Sequence, residues 1–413
     1  MTSFNVVSTK AYDIIDECSY YNELYKNVRG VLDEHLFMIN GPFMMDSQFN
    51  AMKREGRRVR KRKKPISLGC SEEIAAIESI SKEVRKEGWR IGYFSEQSTH
   101  DNNRMARNAA RDLVERSFNF YRPRTISSAE LILLEDNRFF SGENLRSDPE
   151  VGRFLQVPED SDNFSDFVID REYCMLNSWY RNQSDSVIRL NVSLSEGEPS
   201  TKYYMPPQST FHIGAVTDVR DFTILNEENF DLILMDPPWE NLSVKRQQSY
   251  VTSDSAISNI DMDCLDADGL LAVWITNRKG IDQDLEVHLK RWNLKRLATF
   301  IWLKVTREGD PICPFNSSHK LPYEKLVLAS RAEAATRYAS IAAADGKVFA
   351  SVPMALPSRK PPVAILLKQF GISPNRCLEL FARCLQPNTV SVGFETLLLQ
   401  SSSCLVPSEF ANS

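Results

Sequence analysis

A chain of 413 residues with 42% hydrophobic content is long enough for two domains, and a formal net charge of -5 excludes a protein that coats nucleic acid through an overall basic surface. Any nucleic-acid contact must use local patches. The eight cysteines, at 18, 70, 174, 264, 313, 377, 384 and 404, include no Cys-x-x-Cys pair and no His in zinc-ligand spacing, so they predict reduced thiols and no metal site.

The first thirty residues mix Asp, Glu and Lys with apolar positions and resemble neither a secretion signal nor a membrane anchor. No later stretch reaches the ~20 apolar residues of a membrane span, so a soluble protein without membrane partners is expected. From Lys53 to Lys64 nine basic residues accompany a single acid, ahead of Pro65. Such a run reads either as a nuclear-import or phosphate-contacting tract or as a solvated basic loop. The import reading places the protein in the nucleus, with the cytosol as the other compartment.

Residues 71 to 90 predict a helix: Ser71 suits the N-cap, Glu72 and Glu73 the first turn, and Ile74, Ile77, Ile80 and Val84 recur at helical spacing. A second helix is expected from about 103 to 118, whereas 136 to 166 is acidic, turn-rich and aperiodic, and reads as a linker or long loop. From about 205 short apolar runs at 230–235, 270–276, 297–304, 323–329 and 377–382 alternate with amphipathic segments, notably 281–292 and 361–370. This pattern predicts an α/β fold, a Rossmann-like domain with a mainly parallel sheet covered on both faces. Ligands in such folds bind beyond the C-terminal ends of the strands, which points to the loops after 235, 276 and 382.

Asp236-Pro237-Pro238-Trp239 directly follows the run Leu232-Ile233-Leu234-Met235 and so occupies one of those loops. Two acceptors fixed by a stiff loop, the Asp236 carboxylate and the Pro237 carbonyl, could bind both hydrogens of an amine and localise a lone pair otherwise delocalised into an aromatic ring. The Trp239 face could hold such a ring by stacking. The alternative is a Pro-rich turn with Trp239 as an ordinary core residue.

Further motifs stand in order around this loop: Tyr203-Tyr204-Met205-Pro206-Pro207 before Asp218-Val219-Arg220, then Trp274-Ile275-Thr276-Asn277-Arg278, Pro322-Tyr323-Glu324, Ser358-Arg359-Lys360-Pro361-Pro362 and Glu379-Leu380-Phe381-Ala382-Arg383. Together they resemble the DPPW family of adenosine N(6)-methyltransferases, which includes the catalytic subunit of the messenger-RNA enzyme, and are most similar to its methyltransferase-like protein 4 branch. The resemblance spans roughly 200 to 395. It implies an enzyme that moves a methyl group from S-adenosylmethionine to the exocyclic amine of adenine, with Asp236, Pro237, Pro238 and Trp239 as the catalytic loop. It also implies that Asp218 and Val219 hold the donor's adenine, that Lys360 holds its carboxylate, and that Arg383 and Glu395 lie near its ribose, with Asp236 near its ammonium and Phe381, Gln386 and Asn388 also among the donor-binding residues. For the target nucleoside it points to Asn241, Lys245, Arg246, Tyr250, Asn277, Arg278, Tyr323 and Glu324. A Lys-Arg pair suits a phosphate, and tyrosines suit stacking or a sugar hydroxyl. The basic strip Lys290 to Arg296 reads as a helix end capped by its cations rather than an RNA groove.

One position departs from the family: Gly393-Phe394-Glu395 carries Phe where members usually have Asn, which removes an amide from the donor site. The branch favours RNA over DNA as nucleic-acid substrate, specifically 2'-O-methyladenosine in a spliceosomal small nuclear RNA, and activity without an obligate partner subunit. Rival readings are a DNA adenine methyltransferase, a non-catalytic RNA-binding scaffold and a glutamine amide methyltransferase. The expected organisation is a mixed or helical N-terminal substrate-presenting or regulatory region at 1–165, a connecting segment at 166–204, the methyltransferase domain at 205–400 and a tail at 401–413.

Overall fold

The computed structural model describes residues 4–28, 30–32, 38–39, 41, 71–96, 108, 111–112, 166–169, 179–192, 201–220, 229–239, 257–317, 320–355 and 359–407. The basic tract at 53–64 and almost all of the segments 103–118 and 136–166 lie outside the described residues. The chain divides into two compact units, one of Met1–Glu23, Asp33–Ala109 and Val273–Pro361, the other of Leu24–Leu32, Ala110–Ala272 and Pro362–Ser413.

In chain order the strands are β1 (Asn5–Ser8), β2 (Tyr12–Ile15), β3 (Gly30–Leu32), β4 (Asp166–Ile169), β5 (Trp179–Arg181), β6 (Ile188–Val192), β7 (Thr201–Met205), β8 (Thr210–His212), β9 (Phe230–Met235), β10 (Leu265–Ile275), β11 (Lys295–Lys304), β12 (Tyr323–Ser330), β13 (Val348–Ser351), β14 (Cys377–Leu380), β15 (Thr389–Val392) and β16 (Leu405–Pro407). The helices are α1 (Glu17–Leu24), α2 (Ser71–Arg90), α3 (Ile281–Arg291), α4 (Ala339–Ala342) and α5 (Val363–Lys368).

In the second unit β9, β14, β15 and β8 run parallel in that spatial order, with β5 antiparallel at the edge. β9 is apolar at nearly every position, Phe230-Asp231-Leu232-Ile233-Leu234-Met235, as a strand covered on both faces must be. The register aligns Met235 with Leu380, Leu380 with Val392, and Val392 with His212. Four strands therefore end in one row, and the residues that follow them emerge side by side. The expected connecting segment contributes a small sheet, β4-β6-β7, and β3 pairs antiparallel with β16.

In the first unit the order is β1-β2-β13-β11-β12. The N-terminal strand β2 runs parallel to β13, and α2 packs on both. Their core joins Ile14, Ile77 and Val84 to Leu303, Tyr323 and Val348, so apolar positions from the first ninety residues share a core with positions beyond 300. The sheet here is less parallel than the sequence suggests, because β12 returns antiparallel against β11. The reason is the connection: the described residues of 305–322 form no helix that could cross over, and a chain that turns back without one pairs antiparallel.

Helix α2 has the predicted bounds and buries Ile77 and Val84. Helix α3 buries Ile281, Leu285 and Leu289, with Asp282 and Asp284 in its first turn and His288, Lys290 and Arg291 in its last, so that charge complements the dipole at both ends. Arg296, the last residue of the basic strip 290–296, is held by Asp282 and Glu286 at 3.1 and 2.7 Å. Among the described residues no helix is long and apolar enough to cross a membrane.

Candidate active site

In the second unit, the row of strand ends delivers Asp236, Phe381, Gly393 and Ile213 as the first residues beyond β9, β14, β15 and β8. The side chains that converge there are Asp236, Arg383 and Glu395. Arg383 donates from Nη1 to Asp236 Oδ2 at 2.6 Å and from Nε to Glu395 Oε2 at 3.0 Å. Such charge-assisted bonds are short and directional, so the guanidinium fixes the plane of the Asp236 carboxylate. Two carboxylates around one guanidinium carry a net charge of -1.

The backbone is shaped for this convergence. Phe381 adopts φ 61°, a left-handed conformation uncommon for a bulky residue, at the point where the chain leaves β14. Gly393 is required by close approach, since a Cβ there would lie 3.1 Å from the Ala382 nitrogen. Phe394 follows, 42% exposed.

The Asp236–Trp239 loop differs in two respects from the sequence expectation. The Pro237 carbonyl accepts the Trp239 N–H at 2.7 Å, a tight turn inside the motif. Its second lone pair is the one that remains for an amine. The Trp239 side chain is buried at 2% exposure, so in this conformation its ring is covered by protein.

Beyond β8, the Asp218 carboxylate lies 2.8 Å from Nε2 of buried His212, whose ring stacks on Trp179 with centroids 4.3 Å apart. Gly214 leaves room for this pair: a Cβ there would lie 2.3 Å from His212 Nε2 and 2.7 Å from Asp218 Oδ2. Val219 is buried beside Asp218.

Asn388 is not brought to this cluster. Its carbonyl accepts the N–H of Cys377, the first residue of β14, so it lies at the N-terminal end of the parallel strands, opposite Asp236. The parallel register dictates this, because the chain between β14 and β15 must travel back along the sheet before it can run parallel again. Gln386 lies within that return, its amide 3.7 Å from Cys384 Sγ.

In the first unit a second charged cluster forms around Glu324. Its Oε1 pairs with Lys304 Nζ, and its Oε2 with Lys360 Nζ at 2.9 Å. Burial works against the Glu324 carboxylate, but the two ammonium groups prevail and hold it well below the usual carboxylate range. Burial, with Lys360 nearby, lowers Lys304 against the pull of Glu324. Two ammonium groups around one carboxylate carry a net charge of +1.

The four described members of the expected nucleoside set are engaged elsewhere. Tyr323 is fully buried and its hydroxyl donates to Glu73 Oε1 at 2.9 Å, which fastens α2 to β12. Glu324 is the bridge between the lysines. Asn277 Nδ2 donates to the Tyr323 carbonyl at 2.6 Å, and Arg278 pairs with Asp284 of α3. Asn241, Lys245, Arg246 and Tyr250 lie outside the described residues.

Sequence reading passed over His212, Lys304 and Glu17. Lys304 had a signal, a charge closing the apolar run 297–304. His212 and Glu17 had none, because a His in a short strand and an acid in a short helix are ordinary until their partners are known.

The charge pattern suits the methyl donor. S-adenosylmethionine has a cationic sulfonium and ammonium and an anionic carboxylate; taken separately, the net negative cluster of the second unit suits a cationic group and the net positive cluster of the first unit an anionic one. Hydroxyl-rich ribose suits the carboxylate of Glu395. Among the described residues no group of three or more His, Cys, Asp or Glu could hold a metal ion.

Comparison with known proteins agrees with this chemistry. The MT-A70 family profile matches residues 230–395. A Caenorhabditis elegans protein described as a DNA N6-methyl methyltransferase is 36% identical over 392 residues, covering 94% of this chain and 96% of that protein. Human N(6)-adenine-specific methyltransferase METTL4 is 37% identical over 209 residues, 48% of this chain and 44% of the human protein. The N6-methyladenosine RNA methyltransferase MTA1 of Cryphonectria parasitica is 35% identical over 221 residues, 51% of this chain and 64% of the fungal protein. The chain therefore belongs to the MT-A70 family of N6-adenine methyltransferases, enzymes that take their methyl group from S-adenosylmethionine.

Proposed function

We propose that the chain methylates N6 of an unpaired adenosine in RNA, with 2'-O-methyladenosine of a spliceosomal small nuclear RNA as the target. The observation that carries the chemistry is the Asp236 carboxylate, oriented by Arg383 at the head of the strand row. S-adenosylmethionine supplies an activated methyl and its own leaving group. The chain's part is placement: Asp236 Oδ1 and the Pro237 carbonyl accept the two amine hydrogens of adenine, which concentrates the lone pair on nitrogen. Pro237 and Pro238 keep those acceptors rigid. Once methylated, the nitrogen loses a proton readily, so no dedicated base is needed.

Arg383 and Glu395 serve the donor ribose, Asp218 its adenine and Lys360 its carboxylate in this reading. Phe394, where the family has Asn, offers a ring face instead of an amide. Asn241, Lys245, Arg246 and Tyr250 take the nucleotide's phosphate and sugar. The RNA preference follows from the sequence branch and from cost, because an unpaired loop presents its base without the unstacking that a duplex requires. Similarity to a fungal enzyme named for RNA supports it.

DNA is the second reading, favoured by similarity over almost the whole chain to a nematode protein named for DNA. Residues 53–64 are the import signal of a nuclear enzyme, which acts without an obligate partner. The test is transfer of labelled methyl to matched RNA and DNA oligonucleotides, with and without 2'-O-methyl on the target, by wild type and Asp236→Ala. Labelled N6-methyladenine in 2'-O-methylated RNA that vanishes in the variant supports the proposal. Preference for the DNA oligonucleotide transfers it to the second reading.

A further inference from the structure

We infer that Glu17, in the N-terminal helix α1, is a positioning residue for Lys360 and the lysine pair of the donor carboxylate subsite. The inference rests on the reading that Lys360 holds that carboxylate. Glu17 is 5% exposed, an uncommon place for an acid, and burial of this kind calls for specific partners. Its Oε1 accepts the hydroxyl proton of Ser351, at the end of β13. Ser351 Oγ in turn accepts the indole N–H of Trp302 at 2.8 Å. Glu17 therefore fixes the Ser351 rotor, and Ser351 fixes the Trp302 ring plane.

That ring touches the lysines in two ways. Lys304 Nζ sits 4.3 Å from the Trp302 ring centroid. Trp302 meets Trp274 edge to face at 5.7 Å, and Lys360 Nζ lies 5.7 Å from the Trp274 centroid. Glu324 ties the two ammonium groups together. A second route runs through the neighbour of Lys360: the Arg359 guanidinium lies 3.5 Å from the ring centroid of Tyr21, one turn along α1 from Glu17. Helix α1 thus holds both the aromatic floor beneath the lysines and the residue that precedes Lys360.

An acid that only fastened α1 to the sheet would affect folding and leave ligand preference alone. A positioning acid must affect how the protein distinguishes a donor with a carboxylate from one without. The experiment is calorimetric binding of S-adenosylmethionine and its decarboxylated analogue to the full chain, for wild type, Glu17→Ala, Glu17→Gln and Lys360→Ala, with melting temperatures recorded alongside. Wild type should prefer the carboxylated donor, and Lys360→Ala should lose that preference. Glu17→Ala should lose about tenfold in affinity for S-adenosylmethionine but little for the analogue, while Glu17→Gln, which keeps the acceptor, should restore most of the preference. In turnover, KM for the donor should rise with kcat nearly unchanged.

If wild type binds both ligands equally, the Lys360 reading fails and the inference with it. If wild type and Glu17→Gln discriminate and Glu17→Ala discriminates equally well, the positioning role is overturned while the Lys360 reading stands. Should Glu17→Ala not fold, Ser351→Ala cuts the same link and must show the same selective loss.

Discussion

Replacing Glu17 by Gln should change how the stability of the protein depends on pH. Burial pushes the Glu17 carboxyl from 4.5 up to about 7, against the hydrogen bond from Ser351 and the charge of Arg359. Between those values the folded chain keeps a proton that the unfolded chain has released, so stability falls as pH rises through the window and is level above it. A displacement from 4.5 to about 7 corresponds to about 3 kcal/mol. Glutamine does not titrate, so the stability of Glu17→Gln relative to wild type should improve by about 3 kcal/mol between pH 5 and pH 8. Urea unfolding of both proteins at the two pH values reads this directly, and taking the difference between them cancels every other titrating group. A difference that stays constant to within about 1 kcal/mol would show that Ser351, Arg359 and their neighbours fully compensate the buried charge, and would refute the argument from burial.

Arg383→Met removes the bonds to both Asp236 and Glu395 and leaves two like charges facing each other. We expect methyl transfer to fall by about a hundredfold and stability by about 2 kcal/mol, less than two buried charged bonds because water reaches the cluster; unchanged kcat/KM would sever Arg383 from the catalytic carboxylate. Tyr323→Phe loses the bond to Glu73 and should cost about 1 kcal/mol of stability with turnover unaltered, whereas a raised KM for RNA would return Tyr323 to the substrate site. In Gly214→Ala the new methyl collides with His212 and Asp218, and calorimetry should show about tenfold weaker donor binding. Wild-type affinity in that variant would remove Asp218 from the donor's adenine.

Much of this protein is written locally in its sequence. The apolar run of β9 followed by Asp236-Pro237-Pro238-Trp239 identifies a covered strand and the loop beyond it, because strand burial is read from composition and proline stiffness is intrinsic to the residue. The ends of α2 and α3 are equally legible, since first-turn acids and apolar spacing act within a few residues.

What tertiary structure decided are relations between distant residues. Arg383 meets Asp236 only because β14 lies parallel beside β9 in register, and that same register carries Asn388, a near neighbour of Arg383 in sequence, to the other end of the strands. Tyr323 and Glu324 are adjacent in the chain yet point to opposite faces of β12, as successive residues in a strand must, one to Glu73 of α2 and the other to Lys304 and Lys360. Glu17 gains its significance from residues more than three hundred positions away. Motif chemistry depends on residue type and short-range geometry and so survives in one dimension, whereas partnership depends on which strands become neighbours, which only the folded chain settles.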